Sequence, residues 1–146
     1  MTGCVVACDL DAHPHCILIA IGAHLDFGYG GGLYGEECSL VLENNEIANN
    51  DSDDGCGIYL YSATATIRHS TIVENVGGIL GGGIYAADCR LVIENSLIGR
   101  NVDMVFGGGI LLGNTVAGII ECAIIHNQAT NGAGCYILGS TELCVL

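Results

Sequence analysis

The densest group of chemically capable residues is the run NNDSDDG at positions 49–55. Asp51, Asp53 and Asp54, with Asn49 and Asn50, supply hard oxygen donors that could hold Ca²⁺ weakly. An EF-hand loop is excluded, because Asp54 falls where that loop requires glycine. A solvated acidic turn is the competing account. A second group, Cys4, Cys8, His13, His15 and Cys16, carries the thiolates and imidazoles that zinc prefers but contains no CxxC pair. An N-terminal structural end explains it equally. His69 could move a proton, yet no serine or cysteine nucleophile with a third orienting group can be matched to it. Tyr34, Tyr59, Tyr85 and Tyr136 occupy equivalent places in the chain and could receive sugar rings or a protein partner. Stacked aromatics also stabilise parallel ladders without any ligand.

The elements that must position these residues form a repeat. Gly32, Gly57, Gly83, Gly109 and Gly134 follow one another at separations of 25, 26, 26 and 25 residues. From each of the first four, the chain counts eighteen residues to Asn50, Asn75, Asn101 and Asn127. A fixed period of this length is the signature of a solenoid, in which each unit buries its apolar face only by stacking on its neighbours. After each glycine an apolar residue (Leu33, Ile58, Ile84, Ile110, Cys135) alternates with Tyr34, Tyr59, Tyr85, Leu111 or Tyr136. A period of two makes this a strand with the first set inward and the second outward. The glycines admit the chain to that strand where a side chain would clash or φ must be positive.

Two further strands follow in each turn. Leu40 and Leu42, Ala65 and Ile67, Leu91 and Ile93, and Ala117 and Ile119 face inward in the second, with Glu43, Arg68, Glu94 and Ile120 outward. Stacking sets Arg68 between two glutamates, which cross-strand pairing favours. The same registry sets Glu74 beside Arg100. The third strand carries Ile47, Ile72, Ile98 and Ile124 as an inward column, and the asparagines at the next corner form a ladder of amides that donate and accept along the stack. His69 falls in register with Asn44, Asn95 and Glu121 as part of a polar column. No segment shows a capped 3.6 period. The fold expected is all-β: a single-stranded parallel β-helix of 25–26 residues per turn, with three short strands per turn, all parallel. Residues 1–26 read as a degenerate first turn or N-terminal end, and 27–146 as the regular coils.

Sixteen acidic residues against three basic ones give a formal charge of −13, which repels a phosphate backbone and excludes nucleic acid as a partner. No apolar run approaches the eighteen or more residues of a membrane-spanning helix, so no membrane insertion is expected within this segment. The opening MTGCVVACDL lacks the basic residues of a signal peptide. Among nine cysteines, Cys38 and Cys89 are equivalent but two turns apart, about 9–10 Å at sheet spacing and too far for a disulfide. Cys122 stands where other turns carry Asn or Ser, Cys135 where they carry Leu or Ile, and Cys144 where they carry Ile. Most of the cysteines therefore read as small buried hydrophobes. The closing STELCVL begins another second strand with no polar cap, which suggests a fragment, or a unit that associates end to end with a copy of itself.

At GGGIY (81–85) with its equivalents, and at the IxxN segments starting with Ile47, Ile72, Ile98 and Ile124, the chain resembles the right-handed parallel β-helix repeat family, within the pectate-lyase-like superfamily. It is especially similar to the GGA(I/L/V) and FxxN repeats of chlamydial polymorphic outer-membrane proteins, with isoleucine replacing phenylalanine, over about residues 28–144. The resemblance implies right-handed winding and an extracellular or cell-surface location. It implies a non-enzymatic segment of a bacterial surface or secreted protein, acting as a rigid spacer or adhesive display surface toward carbohydrate or a host protein. The alternative is a fragment of a polysaccharide-degrading enzyme whose catalytic turns lie elsewhere. A lyase of this fold needs a basic residue as catalytic base, but the chain has no lysine, and Arg68 and Arg100 have stacked glutamate neighbours. The GHG and RxK motifs of the corresponding hydrolases are absent. No cofactor beyond weakly held Ca²⁺ is expected.

Overall fold

The computed structural model describes residues 5–8, 17–19, 31–55 and 57–146, the first two segments as backbone strands alone. From residue 31 onward the chain winds in stacked parallel coils. The first face is built from Leu33–Glu36, Ile58–Tyr61, Ile84–Ala87, Ile110–Gly113 and Cys135–Leu138, each hydrogen-bonded to its successor. The second runs through Ser39–Glu43, Thr64–Arg68, Arg90–Glu94, Val116–Ile120 and Glu142–Val145. The third holds Glu46–Ala48, Thr71–Val73, Leu97–Gly99 and Ala123–Ile125.

Like residues lie over like residues. Ile47, Ile72, Ile98 and Ile124 are direct register partners up the third face. On the first face the column is Leu33, Ile58, Ile84, Ile110 and Cys135. Ile58, Leu60, Ile67, Ile72, Ile84, Ile93 and Ile98 have no exposed surface. Each such side chain contributes about 1.5–3 kcal/mol, so the hydrophobic column is the main source of stability.

Single left-handed residues make the bends. Glu37, Ser62, Asp88 and Asn114 separate the first face from the second, with φ between 47° and 55°. Asn44, His69, Asn95 and Glu121 separate the second from the third, and Asn49, Glu74, Arg100 and His126 follow the third. One residue in this conformation between two extended stretches turns the chain sharply, and Asn and Asp tolerate it best among residues with side chains.

Immediately after most of these bends stands a polar side chain that bonds between coils. Asn75 and Asn101, fully buried, each donate from Nδ2 to the next asparagine's Oδ1, at 2.9 and 3.1 Å, and to an isoleucine carbonyl of the coil before. At the second bend Ser70 and Ser96 accept the N–H of Asn45 and Ser70 respectively. At the first, Cys89 and Thr115 accept from Ala63 and Cys89 and donate to Ala87 and Gly113 carbonyls. The asparagine ladder is thus one of three.

Two kinds of glycine serve the return to the first face. Gly55, Gly81, Gly107 and Gly132 have φ of 58–71°. Gly32, Gly57, Gly83 and Gly109 do not; there a Cβ would lie 2.4–2.5 Å from the carbonyl oxygen of the equivalent glycine in the next coil. The clearance is needed because coils stack so closely at this edge.

Every ladder between successive coils is parallel, as the repeat requires; the antiparallel pairs involve only the N-terminal stretch, Val5–Cys8 against Ser39–Glu43 and Ile17–Ile19 against Leu33–Glu36. Three expectations are corrected. The acidic run is not a loop. Asp51–Asp54 is a strand paired in parallel with Val76–Leu80, and bridges at Val102, Phe106, Gln128 and Asn131 continue this short fourth face. Cys144 is not inward; one extra residue near Gly139 moves the register so that Leu143 and Val145 pair with Ala117 and Ile119, leaving Cys144 exposed beside Gly118. Cys89 and Cys122 are more than small hydrophobes, since each thiol donates to backbone carbonyls where Ser or Thr stands in neighbouring coils.

Candidate functional site

The second bend forms an open groove of about 450 Å³ running along the stack. His69, Asn95 and Glu121 make one wall, as left-handed bend residues on three successive coils. Because φ is fixed there, their exposed side chains leave the backbone in the same direction, one per coil, at roughly 4.8 Å intervals. The floor is Ser70 and Ser96, whose hydroxyls are already used by carbonyls of Arg68 and Glu94. Thr71, Leu97 and Ala123, the first residues of the third strands, form the other wall. The result is a row of imidazole, amide and carboxylate opposite a hydroxyl and two short apolar contacts. Such a mixture suits a polar ligand with apolar patches, as a sugar chain has.

The sequence placed His69, Asn95 and Glu121 in one column. It did not reveal a groove, because concavity depends on the left-handed bend and on the small residues that follow it. The run of Asn, His, Asn and Glu at equivalent positions was the available signal.

In register Tyr34, Tyr59, Tyr85, Leu111 and Tyr136 form one column, but their rings do not form one continuous stack. Tyr34, Tyr59 and Tyr85 stack with ring centroids 5.2 and 4.8 Å apart and interplanar angles of 3° and 24°. The π faces that meet in these pairs are used by one another and are not offered to a ligand. This geometry fits the stabilising role of stacked aromatics. Leu111, fully buried, breaks the series, and Tyr136 instead tilts against Phe106 at 4.9 Å. Burial, followed by the charges of Asp54 and Asp88, raises the Tyr85 phenol above its ordinary value and keeps it neutral.

Asp51, Asp53 and Asp54 do not converge. Strand alternation exposes Asp51 and Asp53 and turns Ser52 and Asp54 inward. Among the described residues no cluster of three or more His, Cys, Asp or Glu side chains could hold a metal ion. Of the five candidate zinc ligands, Cys8 is described as backbone only and the others lie outside the described residues. Arg68 bonds Glu43 at 3.0 Å, and Arg100 lies 3.5 Å from Glu74. No helix among the described residues is long and apolar enough to cross a membrane.

Comparison with known proteins adds one positive finding. A family model described as a right handed beta helix region matches residues 23–129. No curated protein and no solved structure matches the chain.

Proposed function

The chain belongs to the right-handed β-helix family, and on that footing we propose that it is a non-enzymatic, rigid segment of a bacterial surface or secreted protein. It presents the groove of His69, Asn95 and Glu121 to a carbohydrate or protein ligand. The observation that carries this reading is the coincidence of that groove with a bend locked by its own hydroxyl ladder. A ligand meeting it encounters a backbone already fixed in position, so little backbone entropy is lost on binding. The charge of −13 narrows the ligand to a neutral or amine-bearing glycan, or a basic protein surface, because an acidic polymer is repelled. The arginines that a lyase mechanism would draw on, Arg68 and Arg100, are engaged with glutamates.

The test is binding to immobilised neutral, amino and acidic polysaccharides, with the Asn95→Ala/Glu121→Gln double variant in parallel. Binding confined to the neutral and amino polymers, and weakened about tenfold in the variant, is expected, equivalent to about 1.4 kcal/mol. Release of shortened or unsaturated products from any polymer would replace this reading with the enzyme-fragment one.

A further inference from the structure

The fourth face carries a surface that the groove does not account for. Val76, Ile79 and Met104, on two neighbouring coils, are 48%, 53% and 70% exposed. Val76 pairs with Asp51 on one side and with Val102 on the other. Half-buried Val102 therefore extends the apolar surface, and exposed Asp51 bounds it. Asp53 bounds it too. Its Oδ1 lies 3.4 Å from where a Cβ on Gly78 would stand, and Gly78, next to Ile79, has no side chain to screen that carboxylate.

The backbone lifts these side chains toward solvent. Val76–Leu80 and residues 102–106 each take five residues between columns that Asp51–Asp54 and residues 128–131 join with four. Gly77 and Asp103 are buried, so the inner side is already filled and the surplus residue is accommodated outward, as in a bulge. Ile79 and Met104 lie within the longer stretches. An apolar side chain raised in this way contributes little to the core.

Size and charge decide what fits. At these exposures the three side chains present roughly 300 Å², within the range of patches that mark interaction sites. A globular partner needs about 800 Å² on each side, so the patch suits one short segment of chain. Among the described residues Asp51 and Asp53 have no ion-pair partner: Arg68 and Arg100 are engaged with Glu43 and Glu74, and Arg90 stands at the start of a second-face strand. A second copy of this chain would bring its own charge of −13 to the contact and be repelled.

We propose that the fourth face docks a basic, apolar peptide segment of another protein. Its apolar side chains cover Val76, Ile79 and Met104, and its lysines or arginines stand beside Asp51 and Asp53, where opposite charge fixes the register of the contact. The site lies on a different face of the coil from the groove of His69, Asn95 and Glu121 and works independently of it.

The experiment is fluorescence anisotropy of a short labelled peptide of alternating leucine and lysine, titrated with the full chain. Peptides alternating serine with lysine and leucine with glutamate serve as comparators. Saturable binding of the leucine–lysine peptide is expected, with the serine–lysine peptide several-fold weaker and the leucine–glutamate peptide unbound. Ile79→Ser/Met104→Ser alters only exposed side chains, so it folds, which circular dichroism checks, and it weakens the leucine–lysine peptide about tenfold or more. Asp51→Asn/Asp53→Asn weakens it about threefold or more, whereas Glu94→Gln/Glu142→Gln, which removes as much charge from the second face, leaves it unchanged. No saturable binding by the unaltered chain overturns the proposal. Equal affinity for the serine–lysine peptide, or equal losses from the two acidic double variants, also overturns it by reducing the contact to diffuse charge attraction. Unchanged affinity in Ile79→Ser/Met104→Ser does the same. Asn95→Ala/Glu121→Gln retains peptide binding, and Ile79→Ser/Met104→Ser retains any glycan binding, so failure at one site is distinguishable from failure at the other.

Discussion

Replacing Asn101 by alanine tests the ladder at its most enclosed point. The side chain is fully buried and makes four bonds. Its Oδ1 accepts from the backbone N–H and Nδ2 of Asn75 at 3.1 and 2.9 Å, and its Nδ2 donates to the Ile72 carbonyl at 3.0 Å and to Asn127 Oδ1 at 3.1 Å. Alanine strips all four partners at once in a place water does not reach. At about 1–3 kcal/mol per stranded group, partly relieved by relaxation, the loss is about 4 kcal/mol. That is a large share of the roughly 5–15 kcal/mol that holds a domain together. Asn127→Ala is the internal control. It stands in the same column and also bonds its neighbours, Asn101 and Ile98, but it is partly exposed and the last described member of the ladder. Water replaces much of what it loses, and about 1–2 kcal/mol is expected. Urea denaturation followed by circular dichroism measures both, with the transition checked at two probes because solenoids can unfold in parts. Equal losses in the two variants, or a loss below about 1 kcal/mol for Asn101→Ala, would refute the assignment of stability to enclosed bonds between coils.

The glycine column gives a parallel contrast: Gly83→Ala sets a Cβ 2.4 Å from the Gly109 carbonyl oxygen and should lower stability by about 3 kcal/mol or more, while Gly134→Ala, whose Cβ meets nothing nearer than 3.8 Å, should be close to neutral in the same denaturation assay. Stability should depend on pH through Asp54 and Asp103. Their folded values lie above the unfolded one near 3.8, so their contribution is fully present below that pH and is lost as pH rises through the folded values. Subtracting the profile of Asp103→Asn isolates the effect, and a difference that does not change with pH would contradict it. Cys89, whose thiol burial pushes up to about 11, should resist a thiol reagent at pH 8 in the folded protein, whereas exposed Cys144 should react at once; mass spectrometry of the labelled protein reads the order.

Much of this architecture was legible because parallel stacking writes itself into the chain as a period. Ile47, Ile72, Ile98 and Ile124 had to be alike once they were neighbours in space, and the asparagines likewise. The first and second bends were harder to see. Cys89 and Thr115, or Ser96 and Cys122, differ in letter while performing the same exchange of a hydroxyl or thiol proton with a carbonyl, so identity failed as a guide where hydrogen-bond capacity would have served. The left-handed residues are more diverse still. Glu37, Ser62, Asp88 and Asn114 share a backbone conformation and almost nothing else.

The fourth face was missed for a related reason. Asp51–Asp54 and Val76–Leu80 are partners, yet one is acidic and the other apolar and glycine-rich, because only the inward side is constrained by stacking and that side here is Ser52 over Gly77. A composition that says loop conceals a backbone that says strand. The carboxylates matter for the same reason. On the inward side of a well-filled coil an oxygen must be satisfied by the neighbouring coil, as the asparagines, serines and threonines are. Asp103 satisfies that rule with one oxygen and breaks it with the other. Asp54 Oδ1 is the other carboxylate oxygen shut off from solvent that no neighbouring coil satisfies, and it lies on the same fourth face, where the side chains of successive coils are least alike.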